Sequence, residues 1–210
     1  ETGDYLSRIP LGEFAKKEYG ASYITVHRGD MHALQIDSIK PGTVHFGKRL
    51  QNLVDRGDDV LLEFADGTSV TADIVIGADG IHSVVRPCIG GLDKPRFSGS
   101  AAYRALVPRK YVEDLPIDVT NRMGPDRHVV SYFIGRHRSH LNLVCISPED
   151  SWETESWTEQ GTIEDLYARF EGWSPQLLSL LARVEEPVFR WALYDREPLN
   201  QWGIGTTTLL

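Results

Sequence analysis

Two groups of residues in this sequence have the types and spacing that chemistry needs. The first is Asp73 to Arg86, D-I-V-I-G-A-D-G-I-H-S-V-V-R. An apolar run, Ile74 to Ile76, meets a tight Gly77-Ala78-Asp79-Gly80 turn and then a polar segment, Ile81 to Arg86, that could start a helix. A strand that stops in glycines and hands over to a helix brings bare backbone up to a phosphate-bearing ligand. Glycine lacks Cβ, and helix-start N–H groups face the anion. The plainer alternative is an ordinary turn in which Ser83 and Arg86 cap or solvate a helix. The second group is His128 and Tyr132, four apart in an apolar run. A period of two puts them on one face of a strand, where an imidazole and a phenol could meet one aromatic ligand. Their plainer alternative is a pair of core or edge residues with satisfied polar tips.

Other reactive types are weighed against bland uses. Arg28, in His27-Arg28-Gly29-Asp30, sits where a strand gives way to a helix and could offer its planar fork to a phosphate. A surface pair with Asp30 is the ordinary use. Arg104, beside Tyr103, could face a carboxylate, with a structural ion pair preferred. His137 with His140, and His27 with His32, lack the cysteine or carboxylate company of a metal site, and Arg136 and Arg138 would repel a cation; no metal is expected. Ser83 lacks the G-x-S-x-G elbow of a hydrolase nucleophile. Cys88 and Cys145 have no C-x-x-C partner and read as plain buried thiols in a reducing compartment.

Composition narrows the class. The 210 residues are 41% hydrophobic and 25% charged, as in an ordinary soluble globular protein, and carry a formal charge of −8. That charge, without a basic patch, argues against nucleic acid or an acidic membrane as partner. No apolar run approaches the roughly 18 residues of a membrane helix, and the first residues are not a signal peptide, so a cytoplasmic location is expected.

The elements that must position these residues follow from pattern. Residues 1 to 22 read as irregular structure or short strands around Pro10 and Gly12. Tyr23 to Val26 is β-rich, and Met31, Leu34 and Ile39 then recur at near-helical spacing. Thr43 to Phe46, Arg49 to Val54, Val60 to Phe64 and Ser69 to Ile76 read as strands. The turns Asp55-Arg56-Gly57-Asp58 and Ala65-Asp66-Gly67 make a three-stranded ribbon whose last strand delivers Gly77. Gly90, Gly91 and Pro95 punctuate a linker. Gly99 to Val107, His128 to Ile134 and His140 to Ile146 read as strands of a second sheet. Thr162-Ile163-Glu164-Asp165 and Ser174-Pro175 read as helix starts, Pro187 to Tyr194 as a returning strand and Thr206 to Leu210 as a buried one.

A resemblance sharpens the first group. Asp73 lies four residues before Gly77, Ser83 three after Gly80 and Arg86 three after Ser83. This pattern resembles the second fingerprint of the single-component flavin-dependent aromatic hydroxylases, the group typified by p-hydroxybenzoate and salicylate hydroxylases. The resemblance implies that Gly77, Ala78, Asp79, Gly80, Ser83 and Arg86 serve bound FAD and a docking NADH or NADPH. Tyr23 to Gln35 is similar to the family's R-x-x-L-type segment, which implies that Arg28 faces the FAD. The run Gly124 to Tyr132, G-P-x-x-H-x-x-x-Y, resembles the substrate strand of salicylate and 6-hydroxynicotinate hydroxylases, which implies catalytic roles for His128 and Tyr132. The opening T-G-D-Y-L-S-R-I-P-L-G is most similar to the 6-hydroxynicotinate branch. The second domain is closer to salicylate hydroxylases in general, and Val119 stands where the nicotinate branch carries a pocket cysteine.

The fold class expected is mixed α/β: part of an FAD-binding, doubly wound domain with a β-meander, plus a mixed β-sheet substrate domain covered by helices. Residues 1–95 would belong to the first, 96–195 to the second, and 196–210 would return to the first. The family's G-x-G-x-x-G unit and its G-D signature are not found, so the chain reads as an internal piece, inactive alone and unable to hold FAD tightly. The expected activity is NAD(P)H- and O2-dependent hydroxylation of a small hydroxy-aromatic carboxylate of salicylate or 6-hydroxynicotinate type, with or without decarboxylation. A same-fold epoxidase and a non-catalytic aromatic-ligand-binding fragment are the alternatives, and a homodimer is left open.

Overall fold

The computed structural model describes residues 3–152 and 159–210. By contact the chain divides into two compact units, Glu1–Ser38 with Gly99–Leu193, and Ile39–Ser98 with Tyr194–Leu210. The class is mixed α/β, as the sequence pattern implies.

The unit of Ile39–Ser98 and Tyr194–Leu210 is built on two small sheets. Strands β1 (Leu50–Asp55), β2 (Val60–Phe64) and β3 (Ser69–Ala72) form the expected antiparallel meander. Its turns close as their residues require. Gly67 takes φ +79° and donates to Phe64 O at 3.0 Å, while the Asp66 carboxylate accepts from Thr68 N and Oγ1 and pairs with Lys48. Strand β4 (Val75–Gly77) does not continue the ribbon. Ala72 pairs with Val60, the first residue of β2, so anything beyond Ala72 runs out of partner. Val75 to Gly77 instead pair in parallel with Thr207 to Leu209. Val60, Leu53, Val75 and Val85 form the core of this unit.

The other unit has α1 (Leu11–Tyr19) and α2 (Arg28–Ser38) at its start. The expectation of irregular structure or short strands before residue 22 holds for residues 3–10 and is overturned over Leu11–Tyr19. Of the two residues that read as breakers, Pro10 stands at the N-cap of α1 while Gly12 lies inside it, and Gly20 closes the helix in the left-handed conformation. Tyr23 to Val26 is not a strand, because no neighbour offers it a ladder; Thr25 Oγ1 bonds to Phe133 O at 2.9 Å. Thr43 to Phe46, in the first-described unit, likewise forms no strand. Helix α2 does form at the expected spacing, yet buries no residue, and Leu34 is 66% exposed.

Strands β5 (Arg96–Pro108), β6 (Thr120–Gly124), β7 (Arg127–Ile134), β8 (His140–Pro148), β9 (Gln160–Gly161) and β10 (Glu185–Asp195) make a six-stranded sheet in the order β6-β7-β8-β5-β10-β9. Helices α3 (Ile163–Arg169) and α4 (Pro175–Leu181) cover one face. Thr162 Oγ1 accepts from Asp165 N at 3.0 Å and Ser174 Oγ from Leu177 N at 3.4 Å, so both sequence-read caps form. Leu166, Phe170, Leu177 and Leu181 are fully buried against Tyr103, Leu143 and Val129. At about 1.5–3 kcal/mol for each large apolar side chain removed from water, this layer is the main stabilising element of the unit. Short β11 (Gly203–Ile204) and β12 (Thr207–Leu209) complete the chain, with order β11-β12-β4.

Candidate functional site

Gly77 ends β4 under steric compulsion. A Cβ there would lie 2.7 Å from Val85 Cβ and 2.9 Å from Leu209 Cδ2, so only glycine lets the strand approach the following turn and β12 this closely. Gly80 answers a conformational need, with φ +74° and open space where a Cβ would stand.

The helix expected from Ile81 to Arg86 does not form. The segment runs through turns into a 3-10 turn at Arg86–Ile89. Pro87 disfavours helical backbone at Arg86, and Asp79 supplies a competing acceptor. The Asp79 carboxylate takes Val84 N at 2.7 Å and Val85 N at 3.1 Å on one oxygen, and Ser83 Oγ at 2.5 Å on the other. Ser83 Oγ in turn accepts Arg86 N at 2.9 Å. Partial burial pushes the Asp79 carboxyl up, but the bonds from Ser83, Val85 and Val84 outweigh it and hold its pKa below the usual carboxylate range. The N–H groups expected to face an external anion are thus spent on the loop's own acid.

Arg86 is buried and also turned inward. Its Nε and Nη2 donate to one oxygen of Asp93 at 3.0 and 2.8 Å, and Nη2 reaches Glu197 O at 2.7 Å. A Cβ on Gly91 would lie 2.5 Å from Arg86 Cγ, so Gly91 makes the room this arginine occupies. Arg196, which the sequence did not single out, ties the same loop with Nε to Ile81 O at 2.7 Å and Nη1 to Asp93 O at 2.6 Å. Of the seven positions implied for cofactor binding, Ala78, Asp79 and Gly80 remain exposed; among the described residues their backbone N–H groups donate to no backbone carbonyl, and that of Asp79 bonds its own carboxylate. Arg28 is exposed at the first turn of α2, in the other unit. Its expected partner Asp30 lies instead 3.4 Å from His27 Nδ1.

The second group is on the six-stranded sheet. His128 stands opposite Ile146, Val130 opposite Val144 and Tyr132 opposite Asn142. His128 and Tyr132 therefore share one face with Asn142 and Val144, while the intervening Val129 and Phe133 point into the core beneath α3 and α4. Both side chains are half-buried and make no hydrogen bond among the described residues. Arg104 is on the same face, opposite Val144. Among the described residues the ion pair expected of it is not formed. Its guanidinium lies over the Trp191 ring, 5.1 Å from the centroid, and its buried Nε has no hydrogen-bond partner among the described residues. Asn142 Nδ2 is likewise buried and unpartnered among the described residues. A lone asparagine in the apolar run H-L-N-L-V-C-I was the sequence signal for this residue.

Tyr103 points the opposite way from Arg104 and donates to Asp165 on α3. Burial and that carboxylate raise its pKa. Cys145 is buried, its thiol pushed up to about 12 by desolvation, whereas Cys88 is exposed rather than buried as the sequence suggested. Among the described residues no three His, Cys, Asp or Glu groups converge as metal ligands, and no helix is long and apolar enough to cross a membrane.

No family model matches the chain. Curated relatives do. The chain is 40% identical over its full length to 6-hydroxynicotinate 3-monooxygenase of Pseudomonas fluorescens, of which it covers 55%. Among solved structures, a salicylate hydroxylase substrate complex superposes with a TM-score of 0.76 at 26% identity, over 88% of this chain and 49% of that one. Klebsiella pneumoniae HpxO complexed with FAD and uric acid has the same fold, with a TM-score of 0.80 at 24% identity over 94% of this chain and 50% of that one. The chain spans about half the length of the proteins it matches.

Proposed function

On the premise that the chain belongs with the FAD-dependent aromatic hydroxylases, of which it spans about half, we propose that its protein is a flavin monooxygenase. Its substrate is a small hydroxy-aromatic carboxylate of the salicylate or 6-hydroxynicotinate type, hydroxylated with O2 and NADH or NADPH, with or without loss of the carboxylate. The observation that carries the reading is the pair His128 and Tyr132, on one sheet face away from the helices with Val130 between them, and bonded to nothing among the described residues. An imidazole and a phenol in that position can take or share the proton of a ring hydroxyl, which raises the electron density of the ring at the carbon to be hydroxylated. Val130 and Val144 between them give an apolar floor that excludes water.

For FAD, the residues present fit in one respect. The turn Ala78-Asp79-Gly80 exposes backbone that no Cβ at Gly80 obstructs, which suits a dinucleotide lying against it. Bound flavin supplies the oxygen-activating chemistry. Asp79, Ser83 and Arg86 serve it by holding the turn in shape, because their side chains are bonded within the loop. Arg28 is a further proposed contact. Residues 1–95 and 196–210 are assigned to the cofactor side and 96–195 to the substrate side. The 210-residue chain alone is proposed to hold FAD weakly and to be inactive. The full-length protein should oxidise NADH or NADPH faster when salicylate or 6-hydroxynicotinate is added. Failure of every hydroxy-aromatic acid to stimulate that oxidation would overturn the reading.

A further inference from the structure

The chain holds 30 acidic residues against 22 lysines and arginines, so a buried cation has no shortage of partners. On the helix-covered side of the large sheet two arginines keep the rule, while Arg122 bonds instead to Ser131 Oγ at 2.8 Å and Arg109 to Glu113 O at 3.0 Å. Arg169 and Arg190 share Glu149 at 3.0 and 2.6 Å. On the opposite side Arg104 breaks it. Half-buried, it makes no hydrogen bond and no ion pair among the described residues, and its Nε is closed off from solvent without an acceptor. Trp191 beneath the guanidinium strips one side of its hydration. Asn142, on the strand between Arg104 and Tyr132, adds a second buried donor with nothing to bind.

The register places these donors with respect to the reactive pair. Arg104 faces Val144, Val144 faces Val130, and Val130 is midway between His128 and Tyr132. Arg104 thus lies two strands away, about 10 Å at ordinary strand spacing, level with the gap between imidazole and phenol. Buried donors without acceptors are a deficit that folded proteins seldom keep unless something else supplies the acceptor. A flat anion meets the fork geometry of a stacked guanidinium with two parallel bonds.

We propose that Arg104, stacked on Trp191 and flanked by Asn142, is the carboxylate-binding residue of this face, holding the acid end of an aromatic ligand whose ring lies over Val130 and Val144 with its hydroxyl toward His128 and Tyr132. This rests on the reading above that the face takes an aromatic acid, and adds which group selects the acid. Arg104 is a specificity residue: it discriminates charge and does no proton transfer.

The test uses the full-length protein with matched pairs of ligand, salicylate against salicylamide and 6-hydroxynicotinate against 6-hydroxynicotinamide, read by equilibrium titration and by KM and kcat for NAD(P)H oxidation. Arg104→Gln should weaken binding of the acid about 10- to 100-fold while leaving the neutral amide within about twofold, the scale of a lost charged hydrogen bond. Arg104→Lys, which keeps charge and packing but loses the fork, should fall between. Equal weakening for acid and amide, or no change for either, overturns the assignment. If Arg104→Gln does not fold, a wild-type-like preference for the acid in Arg104→Lys and in Trp191→Leu overturns it. If wild-type protein binds neither acid nor amide, the functional reading itself fails, an outcome separate from loss of discrimination in the variant.

Discussion

Buried Arg86 meets half-buried Asp93 in a fork in which Nε and Nη2 of the arginine converge on a single carboxylate oxygen at 3.0 and 2.8 Å. The arginine of a motif associated with cofactor binding is therefore a strut. It joins the loop's end to Asp93 and, through Glu197 O, to the segment leading into β11 and β12. Its bond to Asp93 holds that carboxyl below its ordinary pKa.

Removing the strut should unfold before it unbinds. Arg86→Ala leaves Glu197 O and one oxygen of Asp93 without a donor, with Arg196 remaining on the other at 3.5 Å, and should lower the midpoint of unfolding. Chemical denaturation of the variant checks this. A variant of wild-type stability that has lost only flavin affinity would show that Arg86 acts on the ligand directly.

Gly77 and Gly80 should fail differently. Gly77→Ala drives a methyl into Val85 and Leu209, an overpacking cost of about 1–3 kcal/mol, with the strand end displaced. Gly80→Ala meets open space and pays only for its left-handed backbone, about 1 kcal/mol, and Gly80→Asn should pay less. Thermal unfolding of the three variants ranks them.

The loop should loosen in acid through Asp79. Its pKa is depressed in the folded protein, so its contribution is complete above the unfolded carboxyl value of about 3.9 and is lost as pH falls through the lower folded value. Asp79→Asn should be less stable near neutral pH and flatter in acid. Ser83→Ala removes one donor to the carboxylate, raises its folded pKa and moves the loss to higher pH. Stability measured from pH 2 to 6 distinguishes the three.

His128 and Tyr132 should be costly for turnover and cheap for stability. Each is half-buried, without a hydrogen bond among the described residues, so His128→Ala or Tyr132→Phe should unfold within about 1 kcal/mol of wild type. In the full-length protein the proposed proton-transfer role should lower kcat/KM about 100- to 10,000-fold. Near-normal turnover in both variants would remove them from the reaction.

What the sequence determined by itself is what short-range physics encodes. The Asp66-Gly67 hairpin, the Thr162 and Ser174 caps and the alternation of β7 and β8 each depend on residues within a few positions of one another, and each stands as read. The shared face of His128 and Tyr132 follows from the two-residue period alone. Tertiary structure decided the rest. Val75 to Gly77 left the meander because β12 offered a ladder where β2 had ended; the helix after Gly80 lost its N–H groups to Asp79; Tyr23 to Val26 found no strand beside it. Likewise Arg86 found Asp93 and Glu197 O, and Arg104 found a tryptophan in place of an acid. A side chain's partner depends on which distant segments share its surface, and that is settled only when the chain has folded and the competing acceptors have been taken.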